Sequence, residues 1–409
     1  MTELAADLRD PSRSIGSHLE FCQGNQVFKP GTGKSLRIAS ASTVLESLAA
    51  ADETIDSLKY LKLVVLENLD ILDAEYELAV SILRLRCRGL PVRFVGFSAP
   101  LSDSTDLAAW LQVDNSALHS FRPTDRDQSF TFATKTFTTP LSSALYKAMA
   151  KPAHSAIAAH PEQPVIIFVP SRNHCRPVAM DLIKECALAD LNNTRGFVPP
   201  HVGQDQLESR LRKLQDRTLF DFLSKGIGFF QEKAEKATDR ALILQMYVEG
   251  IVRVLIVPRH SCWTLPVRGG VVIIMGTQYV VVGEEGSDRQ VRDYEQEEIV
   301  RMQGRAIRPG QDGRLYLFCH PDAKDMFIRF LNEGLPLESS LLNASSLVKE
   351  WIQKSRGAGP PMKDHKMKQE VQKILSWTFL RHRIESNPTY YDIERGGGDA
   401  LLQAVEKVL

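Results

Sequence analysis

Short apolar runs rich in β-branched residues punctuate the chain at Leu63–Leu66, Val92–Phe97, Val165–Val169, Val254–Val257, Val271–Met275 and Leu315–Phe318. Runs this short and this uniformly apolar predict strands covered on both faces, as in parallel sheets. Between them apolar positions recur at helical spacing, as in Ala74–Cys87 and Asp181–Leu191. Strand alternating with helix predicts wound parallel α/β sheets rather than a sandwich. The pattern breaks once. After Leu111 it decays into a polar stretch through Phe121–Thr139, followed by a helical segment, Leu141–His160, and the turn Pro161-Glu-Gln-Pro164. This break reads as the junction between two α/β lobes. Past Leu335-Pro-Leu337 the chain turns helical and charged, with a Gly/Pro linker at Gly357–Pro361. A small, mostly helical appended domain is expected beyond it, closing with a helix over Leu401–Leu409.

A chain of 409 residues has room for two or three domains with their own cores. Lys plus Arg and Asp plus Glu both number 50, so the net charge is zero. That balance argues against a basic nucleic-acid coat protein, and any RNA contact must come from a local groove. The six cysteines lie far apart without a C-x-x-C pair, so free, buried thiols are expected rather than a zinc site or a disulfide framework. No apolar leader opens the chain and no stretch reaches bilayer length, so a soluble intracellular protein with no membrane partner is expected.

Pro30-Gly-Thr-Gly-Lys-Ser35 ends like a phosphate-binding loop, in which backbone amides cradle phosphates, Lys34 would reach the terminal ones and Ser35 would hold magnesium. Phe28 stands where the first glycine of G-x-x-x-x-G-K-[ST] belongs, and no buried strand precedes it. Two readings follow: a phosphate loop, or a turn leading into a strand over Leu36–Ala39.

A second set of motifs is more specific. Val165-Ile-Ile-Phe-Val-Pro-Ser-Arg172, Val254 to Trp263, Gly276-Thr-Gln-Tyr279 and Arg301-Met-Gln-Gly-Arg-Ala-Ile-Arg-Pro309 follow one another in order. In order and spacing they resemble motifs of the Ski-type DExH RNA helicases of superfamily two. The last resembles that family's Q-M-x-G-R-A-G-R-P, whose arginines reach nucleotide phosphates across the cleft; the matching residues are Arg305 and Arg308. Leu63-Val-Val-Leu-Glu-Asn-Leu-Asp70 takes the place of the D-E-x-H box, and Phe97-Ser-Ala-Pro-Leu-Ser102 that of S-A-T-L. Within the family the likeness is to the second, inactive cassette of spliceosomal tandem-cassette helicases, with activating signal cointegrator helicases as a near alternative. The resemblance covers residues 30–409 and implies an α/β architecture of two RecA-like parallel-sheet lobes, the first incomplete, followed by a winged-helix domain. The expected bounds are 1–125 for the partial first lobe, 126–160 for the interlobe linker and helix, 161–345 for the second lobe and 346–409 for the winged helix. RNA contacts are expected at Ser171, Arg172 and Arg259.

Phosphoryl transfer needs a metal-holding carboxylate, a water-orienting carboxylate and arginines aimed at the developing charge. Here Glu67 matches the first, Asn68 replaces the second, and Asp70 replaces the His. An amide cannot act as a general base near neutral pH. In Ser98-Ala99-Pro100 the coupling Thr has become Pro, which lacks both hydroxyl and amide donor. The expectation is a degenerate cassette that needs no cofactor and works by binding protein partners in pre-mRNA splicing, in the nucleus. Arg305 and Arg308, three apart on a helix face, would then serve to pair with carboxylates. Two alternatives stand beside it: an active ATP- and magnesium-dependent RNA helicase, or a passive RNA clamp.

Overall fold

Among the described residues, parallel pairing governs every strand but those of one antiparallel pair. The computed structural model describes every residue except 1–7, 9, 11, 15, 30–32, 51–56, 126–127, 232–235, 283–288, 358–361 and 395–398. Gly31 and Thr32 of the candidate phosphate loop, and most of the Gly357–Pro361 linker, fall outside the described residues. Two compact units result. One joins residues 1–122 to residues 333–409, and the other is residues 123–332.

In the first unit, strand β1 (His18–Phe21) pairs in parallel with β2 (Ser35–Ile38), and helix α1 (Ala41–Ala49) follows. The Ser40 hydroxyl caps α1 by accepting the Thr43 amide at 3.2 Å. Strands β3 (Leu63–Leu66) and β4 (Arg93–Gly96) form a second parallel pair, linked through helix α2 (Ala74–Arg86), with helix α3 (Thr105–Leu111) behind them. The Asp73 carboxylate starts α2 by accepting the Tyr76 amide at 2.7 Å. Val64, Leu66 and Phe94 turn toward the core beneath β3 and β4, while Leu63, Val65 and Phe97 are exposed.

The second unit is built on one sheet of six parallel strands, ordered β5-β12-β9-β6-β8-β7. In chain order its elements are β5 (Phe130–Thr136), α4 (Ser143–Ala158), β6 (Val165–Val169), α5 (Arg172–Ala189), α6 (Gln204–Leu211), α7 (Phe220–Leu223), β7 (Ile227–Phe229), α8 (Ala237–Val248), β8 (Val254–Pro258) and β9 (Val271–Met275). Then come the antiparallel pair β10 (Gln278–Val282) and β11 (Arg289–Asp293), α9 (Gln296–Gly304), β12 (Gly313–Cys319) and α10 (Pro321–Glu333). Every residue of β6, β8 and β9 is buried, which is why these strands are apolar throughout. β5 lies at the sheet edge and is only half covered, so its sequence alternates and reads as polar. That explains why residues 126–160, expected as a linker and helix, contribute a strand to this sheet.

The chain then returns to the first unit through helices α11 (Ser345–Ser355), α12 (Asp364–Leu375), α13 (Phe379–Ser386) and α14 (Ala400–Val408). Val348, Ile374, Leu380, Ile384 and Val405 from these helices share one apolar core with Leu45, Leu78 and Ile82 of α1 and α2. Residues 346–409, expected as a domain of their own, are therefore packed into the core of the first lobe. The return passes through Gly334, at φ +95°, where an added Cβ would come within 2.7 Å of the Leu101 carbonyl carbon. All six cysteines are buried free thiols. No helix among the described residues is long and apolar enough to cross a membrane.

Candidate functional site

Lys34 and Ser35 lie at the N-terminal start of β2, and both are exposed. A phosphate loop instead follows a strand and opens onto a helix, whose free amides and dipole receive the phosphates. The helix belonging to β2 is α1, and it begins at the strand's other end. Among the described residues Lys34 therefore meets no helix N-terminus, and β2 belongs to a different two-stranded sheet from β3.

The two boxes of the first lobe do come together. The Leu66 carbonyl accepts the Phe97 amide at 2.8 Å, and the Phe97 carbonyl accepts the Leu69 amide at 2.9 Å. Glu67 is half-buried, and its carbonyl accepts the Tyr76 hydroxyl at 3.0 Å. Asn68 has a left-handed backbone, φ 57° and ψ 52°, a conformation that Asn tolerates better than Glu. Asp70 is buried and accepts the Ala99 amide at 2.8 Å, tying the first box to the second. Exposed Ser98 donates to the neighbouring Ala99 carbonyl at 2.8 Å. Pro100 and Ser102 are clasped from the other side: the Pro100 carbonyl accepts the Leu335 amide at 2.9 Å, and the Ser102 amide donates to the Leu335 carbonyl at 2.8 Å. A loop held on both sides this way is a structural joint.

In the second lobe the candidate residues are dispersed. Ser171 follows β6, where its hydroxyl lies 2.9 Å from His174 Nδ1, and Arg172 is exposed in the first turn of α5. Arg259 follows β8 and is enclosed. Its Nη1 donates to both Glu298 oxygens at 2.8 and 2.7 Å, and its guanidinium stacks 3.6 Å from the Tyr279 ring centre. Burial works against its charge, but the hydrogen bonds and field of Glu298 outweigh it and hold the pKa above the usual value. Arg305 and Arg308 do not share a helix face, because α9 ends at Gly304. Arg305 Nη2 donates to the Cys262 carbonyl at 2.9 Å, and Arg308 Nη2 donates to Gln163 Oε1 at 2.5 Å. Both of these acceptors are neutral groups of the same lobe. An added Cβ at Gly270 would come within 2.1 Å of Gln163 Oε1 and 2.5 Å of Arg308 Nη2, so this glycine makes the room in which that pair meets. Arg308 lies beside the N-terminal ends of β6 and β9, whereas Ser171 and Arg259 follow the C-terminal ends of β6 and β8.

Sequence reasoning missed the partners. Glu298 forms a reciprocal capping box with Glu295 at the start of α9, a spacing legible as E-x-x-E. Tyr279, Tyr294 and Gln163 gave no signal that would link them to particular arginines. Among the described residues no group of His, Cys, Asp and Glu is arranged to hold a metal ion.

No family model matches the chain. Over 326 residues it is 34% identical to the U5 small nuclear ribonucleoprotein 200 kDa helicase of Homo sapiens, and over 327 residues 32% identical to that of Drosophila melanogaster. It is 34% identical over 308 residues to the RQC trigger complex helicase SLH1 of Saccharomyces cerevisiae. The human match takes in 78% of this chain but 14% of the relative, so the chain spans only a small part of the proteins it matches. The six-stranded parallel sheet, the boxes in family order and these relatives agree: over most of its length the chain is homologous to a part of the Ski-type DExH RNA helicases.

Proposed function

We propose that this chain is a nucleotide-silent helicase cassette, acting as a protein-interaction or regulatory module in a nuclear RNA-processing assembly of the splicing type. The observation that carries this reading is the engagement of Arg305 and Arg308 by neutral acceptors inside their own lobe. Transition-state stabilisation depends on donors preorganised toward the charge that develops, and these donors point elsewhere. Asn68 in the water-orienting position and Lys34 at the start of a strand support the same reading. On this reading no hydrolytic step is assigned to the described residues. The relatives named for the U5 particle support an RNA-processing setting and, with it, a nuclear location. The winged-helix identity of residues 346–409 rests on the family resemblance alone.

Calorimetric titration with magnesium–ATP tests the reading, and no heat of binding is expected for the chain or for Lys34→Ala. ATP turnover that disappears in Arg305→Ala would instead establish a working motor. RNA binding that weakens steeply with salt would favour the passive clamp.

A further inference from the structure

Helix α13 begins without a cap of its own. Thr378 occupies the N-cap position, but its hydroxyl donates to the Leu375 carbonyl at 2.7 Å, so the first-turn amides need another acceptor. Glu77 of α2 supplies it. Its Oε1 accepts the Leu380 amide at 2.8 Å, and its Oε2 accepts the Ser339 hydroxyl at 2.6 Å. The Ser339 oxygen in turn accepts the Leu341 amide at 3.2 Å. Glu77 has no exposed surface, so one buried carboxyl group joins α2, the segment ahead of α11 and the start of α13.

We propose that Glu77 is a proton-gated latch: carrying its proton it clasps α13 and the Ser339 segment onto α2, and on losing the proton it lets α13 open locally. An ionised carboxylate in a dry core is costly, and only a few donors offset that cost here. Burial raises Glu77 to about 7, while the Ser339 hydroxyl and the Leu380 and Phe379 amides pull the other way. Because the folded value is raised, the latch is tightest below the ordinary carboxylate range. It loosens as pH climbs toward about 7, above which the loss levels off.

Burial raises Glu75 on α2 as well, and the groups in contact with the clasp are set away from that window with one exception. On α2, buried Arg84 remains a cation whose pKa burial lowers. Burial pushes Glu338 up, but hydrogen bonds from Arg383, Asn387 and Tyr391 more than reverse this and hold it ionised. Arg383 is held charged by Glu338, and also donates to Asp106 of α3 at 2.6 Å. Tyr391 is driven up by burial, and next by its bond to Glu338. His382 on α13 is the exception, since burial lowers it from a value already near neutrality.

Hydrogen exchange on the full chain, corrected for intrinsic rates, tests the latch between pH 5.5 and 8. Protection of peptides covering 378–387 is expected to fall on the order of tenfold or more across this range. In Glu77→Gln, which keeps an acceptor for Leu380 and a partner for Ser339, that dependence should vanish. Ser339→Ala removes a donor that favours the charged form, so its loosening should move to higher pH. His382→Gln should leave the wild-type dependence intact. A flat wild-type profile, an unchanged slope in Glu77→Gln, or a slope lost in His382→Gln would overturn the proposal. If Glu77→Gln does not fold, the direction of the Ser339→Ala shift decides.

Discussion

Arg259 is held by a carboxylate and two aromatic rings at once, in a side chain only 18% exposed, with Glu298 only 6% exposed. Removing the guanidinium would leave Glu298 as an unpaired buried charge. Arg259→Met is therefore expected to destabilise the second lobe by about 3–5 kcal/mol, read from urea unfolding. Adding Glu298→Gln should recover part of that loss, because the stranded charge is gone. Asn68 poses the opposite case. Restoring the acid with Asn68→Glu forces a left-handed backbone on a residue that disfavours it, at a cost of about 1 kcal/mol. No ATPase activity is expected to appear, since the arginines remain engaged elsewhere. At this scale the sequence showed which charges were worth asking about. It did not show their partners, because Glu298, the Cys262 carbonyl and Gln163 meet their arginines only through the fold.

Elements buried on both faces were the most legible. The apolar runs at Val165–Val169 and Val271–Met275 coincide with β6 and β9, because complete burial leaves no position free to be polar, whereas Leu63–Leu66 forms β3 with Leu63 and Val65 exposed. Half-covered elements were harder to see: β5 alternates like a surface loop, since one of its faces meets solvent. Helix α5 begins at Arg172 rather than Asp181, because Pro177 inside its second turn interrupts the pattern that marks a helix. The start of α2 is set by Asp73, whose carboxylate accepts the Tyr76 amide at 2.7 Å. Asp73→Ala is expected to lower the stability of the first unit by about 1 kcal/mol. Thermal unfolding followed by circular dichroism should show that loss in the first unit's transition and leave the second unit's unchanged.

At the scale of the whole chain, the second lobe is an insertion within the first unit. The first unit's core cannot be completed by residues 1–122 alone, because α1 and α2 bury Leu45, Leu78 and Ile82 against Val348, Ile374 and Leu380. Buried polar groups add to the dependence: Glu77 needs Ser339 and Leu380, and Asp106 needs Arg383. By contrast, all six strands of the large sheet and the core around them lie within residues 123–332. This division was hidden in the sequence, because a linear reading assigns a chain's last helices to a last domain. It leads to an asymmetric truncation experiment. Ending the chain at Asn332 removes α11 to α14 and strips the apolar cover from α1 and α2, exposing side chains worth roughly 1.5–3 kcal/mol each when buried. Calorimetry of the intact chain is expected to show two transitions, one for each unit. In the truncated chain the second lobe's transition should persist near its original temperature, and the other should vanish. Loss of both transitions would mean that the sheet of residues 123–332 depends on the first unit, and that the two fold as one.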